Sequence, residues 1–542
     1  MASAPVQFQA ERQRYLQRME DARRAGQIDL AFRIADEAVS KGYEDGALLS
    51  HAAYHRLNLG DVQGALALAE RAKKAAPRDV NALNVLGLCL QKLARHEEAI
   101  AAFNAAIRIS PTAVAPHFNK ACSLEETKEL SAARAEFERT IALHPAHPDA
   151  LAHLASLTAQ RGAMRKAREY GERALRFNPN QPIATLAVAV ADVEDRQYEA
   201  AQRRLVPVFR NPELSVLGRA LANGLMGDTF DGLGKIDEAF AAYSASAAIF
   251  NSLYRQKAES DEASSDRLAR FAEFFRALPG DGWRAPDDGG ESKVGTHIFL
   301  VGFPRSGTTL LENVLGSHPD IETMEEIECL NATAADFIRP REGLRRLQAM
   351  SAGELEPYRK DYWRRVSETG LDLKKPIFID KMPFYSIVQG AIAKLFPRAK
   401  ILFALRDPRD VVLSCFRRRL SMYEMTTLEG VARYYDGVMT LSDVYREKLA
   451  LPAFDLGYER VVADFEGEFR KVCEFIGVEW DEKMRDFTAR AARRPINTPS
   501  AAQISRGLYS QGVGHWRKYE KHLAPVLPKL EPWVKRFGYP ES

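Results

Sequence analysis

Cysteine is scarce in the sequence, and long apolar runs are missing. The 542 residues include five cysteines, no two of which form a Cys-x-x-Cys pair. This spacing argues against a disulfide framework and a zinc site, and it is typical of a reducing compartment. No run of eighteen apolar residues occurs, and the first twenty residues lack the basic-then-apolar pattern of a signal peptide. We therefore expect a cytoplasmic protein that binds neither a membrane nor a metal.

An excess of charge of one sign is also missing. The 76 basic and 73 acidic residues give a net charge of +3, which does not indicate nucleic-acid binding. Any anionic partner must therefore bind at a local site. The chain is longer than one hydrophobic core normally organises, so we expect two or more domains.

A 34-residue period runs through the first half of the chain. Alanine recurs at that spacing at Ala31, Ala65, Ala99, Ala133, Ala167 and Ala201. Proline follows the same period at Pro77, Pro111, Pro145 and Pro179, and small residues hold a third position at Ala53, Gly87, Ala121, Ala155 and Ala189. Each unit is predicted to be two amphipathic helices, with small side chains where the helices cross and proline after the second.

This pattern resembles the tetratricopeptide repeat over residues 10–255, with about six or seven repeats. The resemblance implies a superhelix whose concave face holds a peptide or protein segment. Alternatively, the array only supports the next domain or brings two copies of it together, which would make the protein a homodimer. His144, His147 and His153 are interpreted as polar turn residues rather than as metal ligands.

The period is lost near residue 260, and residues 256–293 are predicted to connect two domains. Apolar strands then alternate with helical stretches, as in "THIFLVGF", "IFID", "AKILFAL" and "LPAFDLGY". Residues 294–542 are therefore predicted to form an α/β domain with a mostly parallel sheet.

The first of these strands leads into a glycine-rich loop, "VGFPRSGTTL", at residues 301–310. A strand, a glycine loop and a helix N-terminus together deliver backbone N–H groups to one point, which favours an anion. Thr308 stands where a nucleotide triphosphatase would carry its lysine, which disfavours ATP or GTP chemistry. Arg305 instead places a permanent charge on the loop.

The segment "FPRSGTTLL" resembles, residue for residue, the 5′-phosphosulfate loop of sulfotransferases that use 3′-phosphoadenosine 5′-phosphosulfate (PAPS). The resemblance implies a P-loop-like sulfotransferase domain, with PAPS as the sulfuryl donor and no metal. It also implies that the donor's 5′ end binds to Arg305, Ser306, Gly307, Thr308 and Thr309.

A second motif, "AKILFALRDPRDVVLSCFRRR", places Arg406 after a strand and Ser414 eight residues later. It resembles the 3′-phosphate site of the same family, and Arg418, one helical turn beyond Ser414, is a further candidate. For Arg406 alone, an ion pair with Asp407 or Asp410 is the alternative.

The same resemblance implies a catalytic glutamate after the first helix. Its match falls on Glu326, with Glu325 as the alternative base. Lys381 in "FIDKMPF" resembles the family lysine that assists the leaving group together with Arg305, although a salt bridge to Asp380 is the alternative. Weaker matches place Tyr458 and the C-terminal residues Ser510, Trp516, Arg517 and Lys518 near the donor, with Trp516 equally compatible with a core position.

Within the family, the loop, the Glu-Glu pair and the Lys-x-Pro segment look closest to the tyrosylprotein sulfotransferases. The stretch "EEIECLNATAADF" lacks the arginines that help those enzymes hold an acidic peptide, so protein tyrosine is the leading prediction for the acceptor rather than the only one. A carbohydrate or small-molecule hydroxyl, a P-loop kinase, and a repeat adaptor with an inactive sulfotransferase-like domain are the alternatives.

Overall fold

A computed structural model describes residues 4–258, 263–280, 282–290, 292–418, 422–493, 507–508 and 512–540. The chain divides into two compact units. The first comprises Met1–Ala159 and Ala163–Ala191, and the second comprises Gln160–Gly162 and Asp192–Ser542. The predicted domain limits of 10–255, 256–293 and 294–542 stay a prediction.

The first unit is helical and has the predicted tetratricopeptide architecture. Its helices are α1 (Ala4–Arg24), α2 (Ile28–Ser40), α3 (Gly46–Asn58), α4 (Val62–Ala75), α5 (Val80–Lys92), α6 (His96–Ile109), α7 (Val114–Glu126), α8 (Leu130–Leu143), α9 (Pro148–Gln160), α10 (Met164–Phe177) and α11 (Pro182–Glu194). The four periodic prolines each follow the end of an even-numbered helix by two residues, from α4 to α10.

The periodic small residues lie where helices cross. The six alanines of the 34-residue series are all buried, with at most 1% exposure. A Cβ added to Gly87 would lie 2.3 Å from the Phe103 ring of the paired helix. The period in the sequence is therefore a packing period, because only a small side chain allows the two helices to approach this closely.

The second unit contains a parallel five-stranded sheet. Its strands are β1 (Thr296–Gly302), β2 (Ile321–Glu325), β3 (Ile377–Lys381), β4 (Lys400–Leu405) and β5 (Ala453–Gly457), in the order β2-β3-β1-β4-β5. All four pairings are parallel, which confirms the predicted α/β fold. Four of the five strands were predicted; β2 was missed.

The second unit also contains helices. They are α12 (Tyr198–Val208), α13 (Val216–Gly232), α14 (Ile236–Ala258), α15 (Ser264–Ala277), α16 (Thr308–Gly316), α17 (Asn331–Thr333), α18 (Gly343–Ala349), α19 (Ala352–Glu368), α20 (Gln389–Leu395), α21 (Pro408–Arg418), α22 (Leu428–Lys448), α23 (Tyr458–Ala463), α24 (Phe465–Ile476), α25 (Phe487–Arg493), α26 (Glu520–Leu523) and α27 (Leu527–Arg536). Helices α16 and α24 share a core with one face of the sheet, and α19, α20 and α22 share a core with the other.

The parallel sheet directs the functional segments to one edge. Because all strands run the same way, the loops after β1, β2, β3 and β4 meet at their carboxyl ends, where open α/β sheets bind ligands. Within the described part of the chain, no helix is long and apolar enough to span a membrane.

Candidate active site

The glycine-rich loop joins β1 directly to α16, which begins at Thr308. Gly302 and Gly307 have φ angles of 156° and 95°, both favourable for glycine. A Cβ on Gly302 would lie 2.7 Å from the Ala404 carbonyl oxygen, and one on Gly307 would lie 2.7 Å from the Tyr458 ring. Both glycines are therefore required by close neighbours as well as by the backbone.

The loop has the features of an anion cradle. Ser306, Thr308 and Thr309 are buried at the N-terminus of α16, where backbone N–H groups and the helix dipole favour negative charge. Arg305 has a φ of 71°, a sparsely populated conformation for a residue with a side chain. Such backbone strain clusters at functional sites.

The two predicted phosphate motifs meet in space. The Arg305 Nε donates a hydrogen bond to the Ser414 Oγ at 3.1 Å, and the Arg406 Nη1 donates to the Arg305 carbonyl oxygen at 3.2 Å. The Arg406 guanidinium lies 5.1 Å from the centroid of the Tyr458 ring. Residues separated by more than a hundred positions therefore form one cluster at the end of β1 and β4.

The alternative ion pairs of Arg406 do not form within the described residues. Asp407 binds Arg409, with a distance of 2.7 Å between the Asp407 Oδ2 and the Arg409 Nη2. Asp410 accepts the backbone N–H groups of Gly514 and Trp516 at 2.7 and 2.8 Å. The Arg406 Nε is buried and has no partner among the described residues, so it is available to an anion.

Positive charge is concentrated around Arg305. Burial, together with the like charges of Arg418, Arg406 and Arg417, lowers the pKa of Arg305 to about 10. An anion among these guanidinium groups would relieve this repulsion. Arg418 also lies 3.7 Å from the Asp228 carboxylate, so its charge is shared with that group.

The C-terminal segment closes one side of this cluster. The Gly512 carbonyl oxygen accepts a hydrogen bond from Arg406. Trp516 is 2% exposed and belongs to the core, while Arg517 and Lys518 are exposed. Ser510 lies outside the described residues.

The candidate base and lysine form an ion pair at the neighbouring strand ends. The Lys381 Nζ lies 2.7 Å from a Glu326 carboxylate oxygen and 3.7 Å from a Glu325 oxygen. Lys381 is fully buried, whereas the Glu326 side chain is 40% exposed and within reach of an acceptor. The alternative salt bridge between Lys381 and Asp380 does not form.

The sheet register explains this pair. Lys381 is the register partner of both Leu300 on β1 and Glu325 on β2. Glu326, immediately after β2, donates its backbone N–H to the Lys381 carbonyl oxygen at 2.8 Å and has a φ of 45°. Glu326 therefore lies just beyond the carboxyl end of β2, next to the end of β3.

Asp380, the residue before Lys381 on β3, belongs to a buried group of hydrogen-bonded side chains. The Asp380 carboxylate accepts a hydrogen bond from the Tyr362 hydroxyl at 2.9 Å, and His297 Nε2 lies 2.8 Å from that hydroxyl. Burial raises the pKa of Asp380 to about 7 and lowers that of His297 to about 3. The sequence carried no signal for this group, because its members come from β1, α19 and β3.

This raised pKa makes a prediction about stability. Between about pH 4 and the folded pKa, folded Asp380 retains a proton that the unfolded chain has lost, so its contribution to stability falls as pH rises. We expect Asp380→Asn to flatten the decline in the unfolding free energy between pH 4.5 and 7.5, measured by urea denaturation. Parallel pH profiles for the variant and the wild type would contradict this assignment.

The histidine group has local partners instead of a metal-like arrangement. His153 Nδ1 lies 2.7 Å from a Glu125 oxygen, and the His147 Nδ1 accepts the backbone N–H of Ala150. No cluster of histidine, cysteine and acidic side chains that could hold a metal occurs among the residues that the structure describes.

Comparisons with known proteins agree with this architecture. Residues 297–482 match the model of the sulfotransferase family, and residues 51–114 and 118–182 match a tetratricopeptide repeat model. An uncharacterized protein of Aquifex aeolicus is 25% identical over 411 residues, which cover 73% of this chain and 52% of that protein. The chain thus spans about half the length of that relative.

Two enzymes are similar to part of the chain. Protein-tyrosine sulfotransferase A of Caenorhabditis elegans is 27% identical over 271 residues, covering 46% of this chain and 69% of that protein. The omega-hydroxy-beta-dihydromenaquinone-9 sulfotransferase of Mycobacterium tuberculosis is 25% identical over 210 residues, covering 35% of this chain and 52% of that protein. The chain therefore carries tetratricopeptide repeats followed by a domain of the sulfotransferase family.

Proposed function

We propose that the protein transfers a sulfuryl group from PAPS to an acceptor hydroxyl. The observation that carries this proposal is the contact of 2.7 Å between buried Lys381 and half-exposed Glu326 at the sheet edge that also holds the glycine-rich loop. A base and a cation side by side are what transfer between two oxygens requires.

The donor's two ends would bind to two parts of the arginine cluster, which comprises Arg305, Arg406, Arg417 and Arg418. Residues 305–309 would hold the 5′-phosphosulfate through backbone N–H groups, hydroxyls and the Arg305 guanidinium. Arg406 and Ser414 would hold the 3′-phosphate, with Arg418 adding charge and Tyr458 lying beside the nucleotide. The buried Arg406 Nε without a partner among the described residues supports this placement.

The proposed reaction is an in-line displacement at sulfur. The acceptor oxygen forms a bond to sulfur as the bond between sulfur and the bridging phosphate oxygen breaks. Glu326 takes the proton of the acceptor hydroxyl, and Lys381 and Arg305 stabilise the negative charge on the departing phosphate oxygen. Adenosine 3′,5′-bisphosphate and the sulfated acceptor are the products, and no step requires a metal.

A protein tyrosine is the acceptor that we favour. The similarity to a protein-tyrosine sulfotransferase and the repeats, a fold that commonly binds peptide segments, both support a protein acceptor. The similarity to a menaquinone sulfotransferase supports a small-molecule hydroxyl as the second candidate.

Nucleotide-dependent thermal stabilisation tests the donor site. We expect adenosine 3′,5′-bisphosphate to raise the Tm by several degrees without magnesium, because a ligand that binds only the folded state stabilises it. Stabilisation by ATP with magnesium, but not by adenosine 3′,5′-bisphosphate, would favour the kinase alternative. Stabilisation by neither nucleotide would favour the adaptor with an inactive domain.

A further inference from the structure

Two carboxylates on α13 face the arginines that end α21, and both helices belong to the second compact unit. The Arg417 Nη2 lies 2.9 Å from an Asp231 oxygen and 3.5 Å from an Asp228 oxygen. Arg418 lies 3.7 Å from the other Asp228 oxygen. The helix that carries Ser414 is thus anchored, at its end, to a helix that precedes the α/β domain by about two elements in the chain.

Further hydrogen bonds hold the two carboxylates in place. The Tyr243 hydroxyl donates to Asp228 at 2.9 Å, and the Tyr519 hydroxyl donates to Asp231 at 2.7 Å. Burial alone would raise the pKa of Asp231, but the hydrogen bond with His515 and the charge of Arg417 hold it well below its usual value. Asp231 therefore remains ionised at neutral pH.

Asp231 also fixes the C-terminal segment. The His515 Nε2 lies 3.2 Å from Asp231, while the neighbouring backbone N–H groups of Gly514 and Trp516 bind Asp410 on α21. The same segment provides the Gly512 carbonyl oxygen that accepts from Arg406. A displacement of His515 would therefore also displace Gly512, three positions earlier, and with it the hydrogen bond that Arg406 donates.

Charge balance gives these contacts a consequence for the donor. The two aspartates offset Arg417 and Arg418, whose charges otherwise repel Arg305. Without Asp231, Arg417 loses its shortest ionic contact and can move toward the arginine cluster or away from it. Either movement disturbs the end of α21, on which Ser414 and Arg418 lie.

We propose that Asp231 is a positioning residue for the 3′-phosphate end of the donor site, acting through Arg417 and the C-terminal segment. This inference rests on the proposed function, because it assumes that Arg406 and Ser414 bind that phosphate. It assigns to α13 a part in donor recognition that is separate from any binding of the acceptor.

Isothermal titration with two nucleotides tests the proposal. Adenosine 3′,5′-bisphosphate contains the 3′-phosphate, and adenosine 5′-monophosphate lacks it. We expect Asp231→Asn to weaken binding of the bisphosphate about tenfold and binding of the monophosphate less than twofold, because loss of a charged hydrogen bond has an effect of this size. Asp231→Glu, which keeps the charge, should recover part of the loss.

Asp237→Asn is the matched control. Asp237, on α14, also pairs with the C-terminal part of the chain, at 2.7 Å from His522 and 3.2 Å from Lys521, but its side chain is exposed. We expect this variant to bind both nucleotides like the wild type. If Asp231→Asn does not fold, Tyr519→Phe removes one hydrogen bond to Asp231 and should weaken binding of the bisphosphate about threefold.

The outcomes separate the two proposals. An equal loss for both nucleotides would show a general structural role and overturn the inference, as would unchanged binding in Asp231→Asn or, where that variant does not fold, in Tyr519→Phe. Failure of the wild type to bind either nucleotide would instead overturn the proposed function itself and, with it, the inference.

Discussion

Glu326→Gln is expected to lower kcat for sulfate transfer by about a thousandfold, the middle of the range for loss of a general base. Glutamine keeps the size and polarity of the side chain but cannot accept the proton of the hydroxyl. Donor binding should change little, because Glu326 contacts Lys381 and not the arginine cluster in the described structure. The measurement is kcat with a saturating acceptor, together with the Kd for adenosine 3′,5′-bisphosphate.

Glu325→Gln is the matched control for this prediction. Glu325 precedes the candidate base and lies farther from Lys381, at 3.7 Å instead of 2.7 Å. We expect this variant to lose less than tenfold in kcat. If the large loss occurs in Glu325→Gln and not in Glu326→Gln, the base is Glu325, and our assignment is wrong.

Lys381→Met is expected to lower kcat by about a hundredfold, because one preformed charge next to the departing oxygen is lost. Methionine fills a similar volume, which limits the cavity left at this fully buried position. The substitution also removes the cation that holds Glu326, so donor binding and folding must be measured alongside kcat.

Lys375→Met provides a control on the same strand pair. Lys375 comes just before β3 and lies 3.1 Å from Glu322 on β2, near the amino ends of these two strands. The substitution removes a lysine–glutamate contact before β3 begins, whereas the glycine-rich loop follows the carboxyl end of β1. Equal losses of kcat in Lys375→Met and Lys381→Met would mean that loss of any lysine–glutamate contact beside these strands lowers the rate. The Lys381 charge would then have no special role.

The repetitive and local parts of the fold were predictable from the sequence. The alanine and proline series gave the helix pairs because crossing helices require small residues at fixed intervals. The apolar runs gave β1, β3, β4 and β5, since strands buried on both faces are almost continuously hydrophobic. Strand β2 was missed because "IETME" alternates with charged residues at the edge of the sheet, where one side is less buried.

The motifs gave the site residues as candidates, but their pairing required the fold. The sequence left two roles open for Lys381, which were assistance to the leaving group and a salt bridge to Asp380. The fold instead pairs Lys381 with Glu326, because the strand register places Glu325 across from Lys381 and Glu326 directly after it, while Asp380 accepts a hydrogen bond from Tyr362. The contact between Arg417 and Asp231 spans almost two hundred positions, so no local pattern could reveal it.

The central claim is that this chain moves a sulfuryl group from PAPS to a hydroxyl. The most direct test incubates the wild type and Glu326→Gln with PAPS labelled in its sulfate, a cell extract as the source of acceptors, and a metal chelator. We predict labelled product with the wild type, released as tyrosine sulfate from the protein fraction, and almost none with Glu326→Gln. Equal labelling by both proteins, or none by the wild type, would contradict the account.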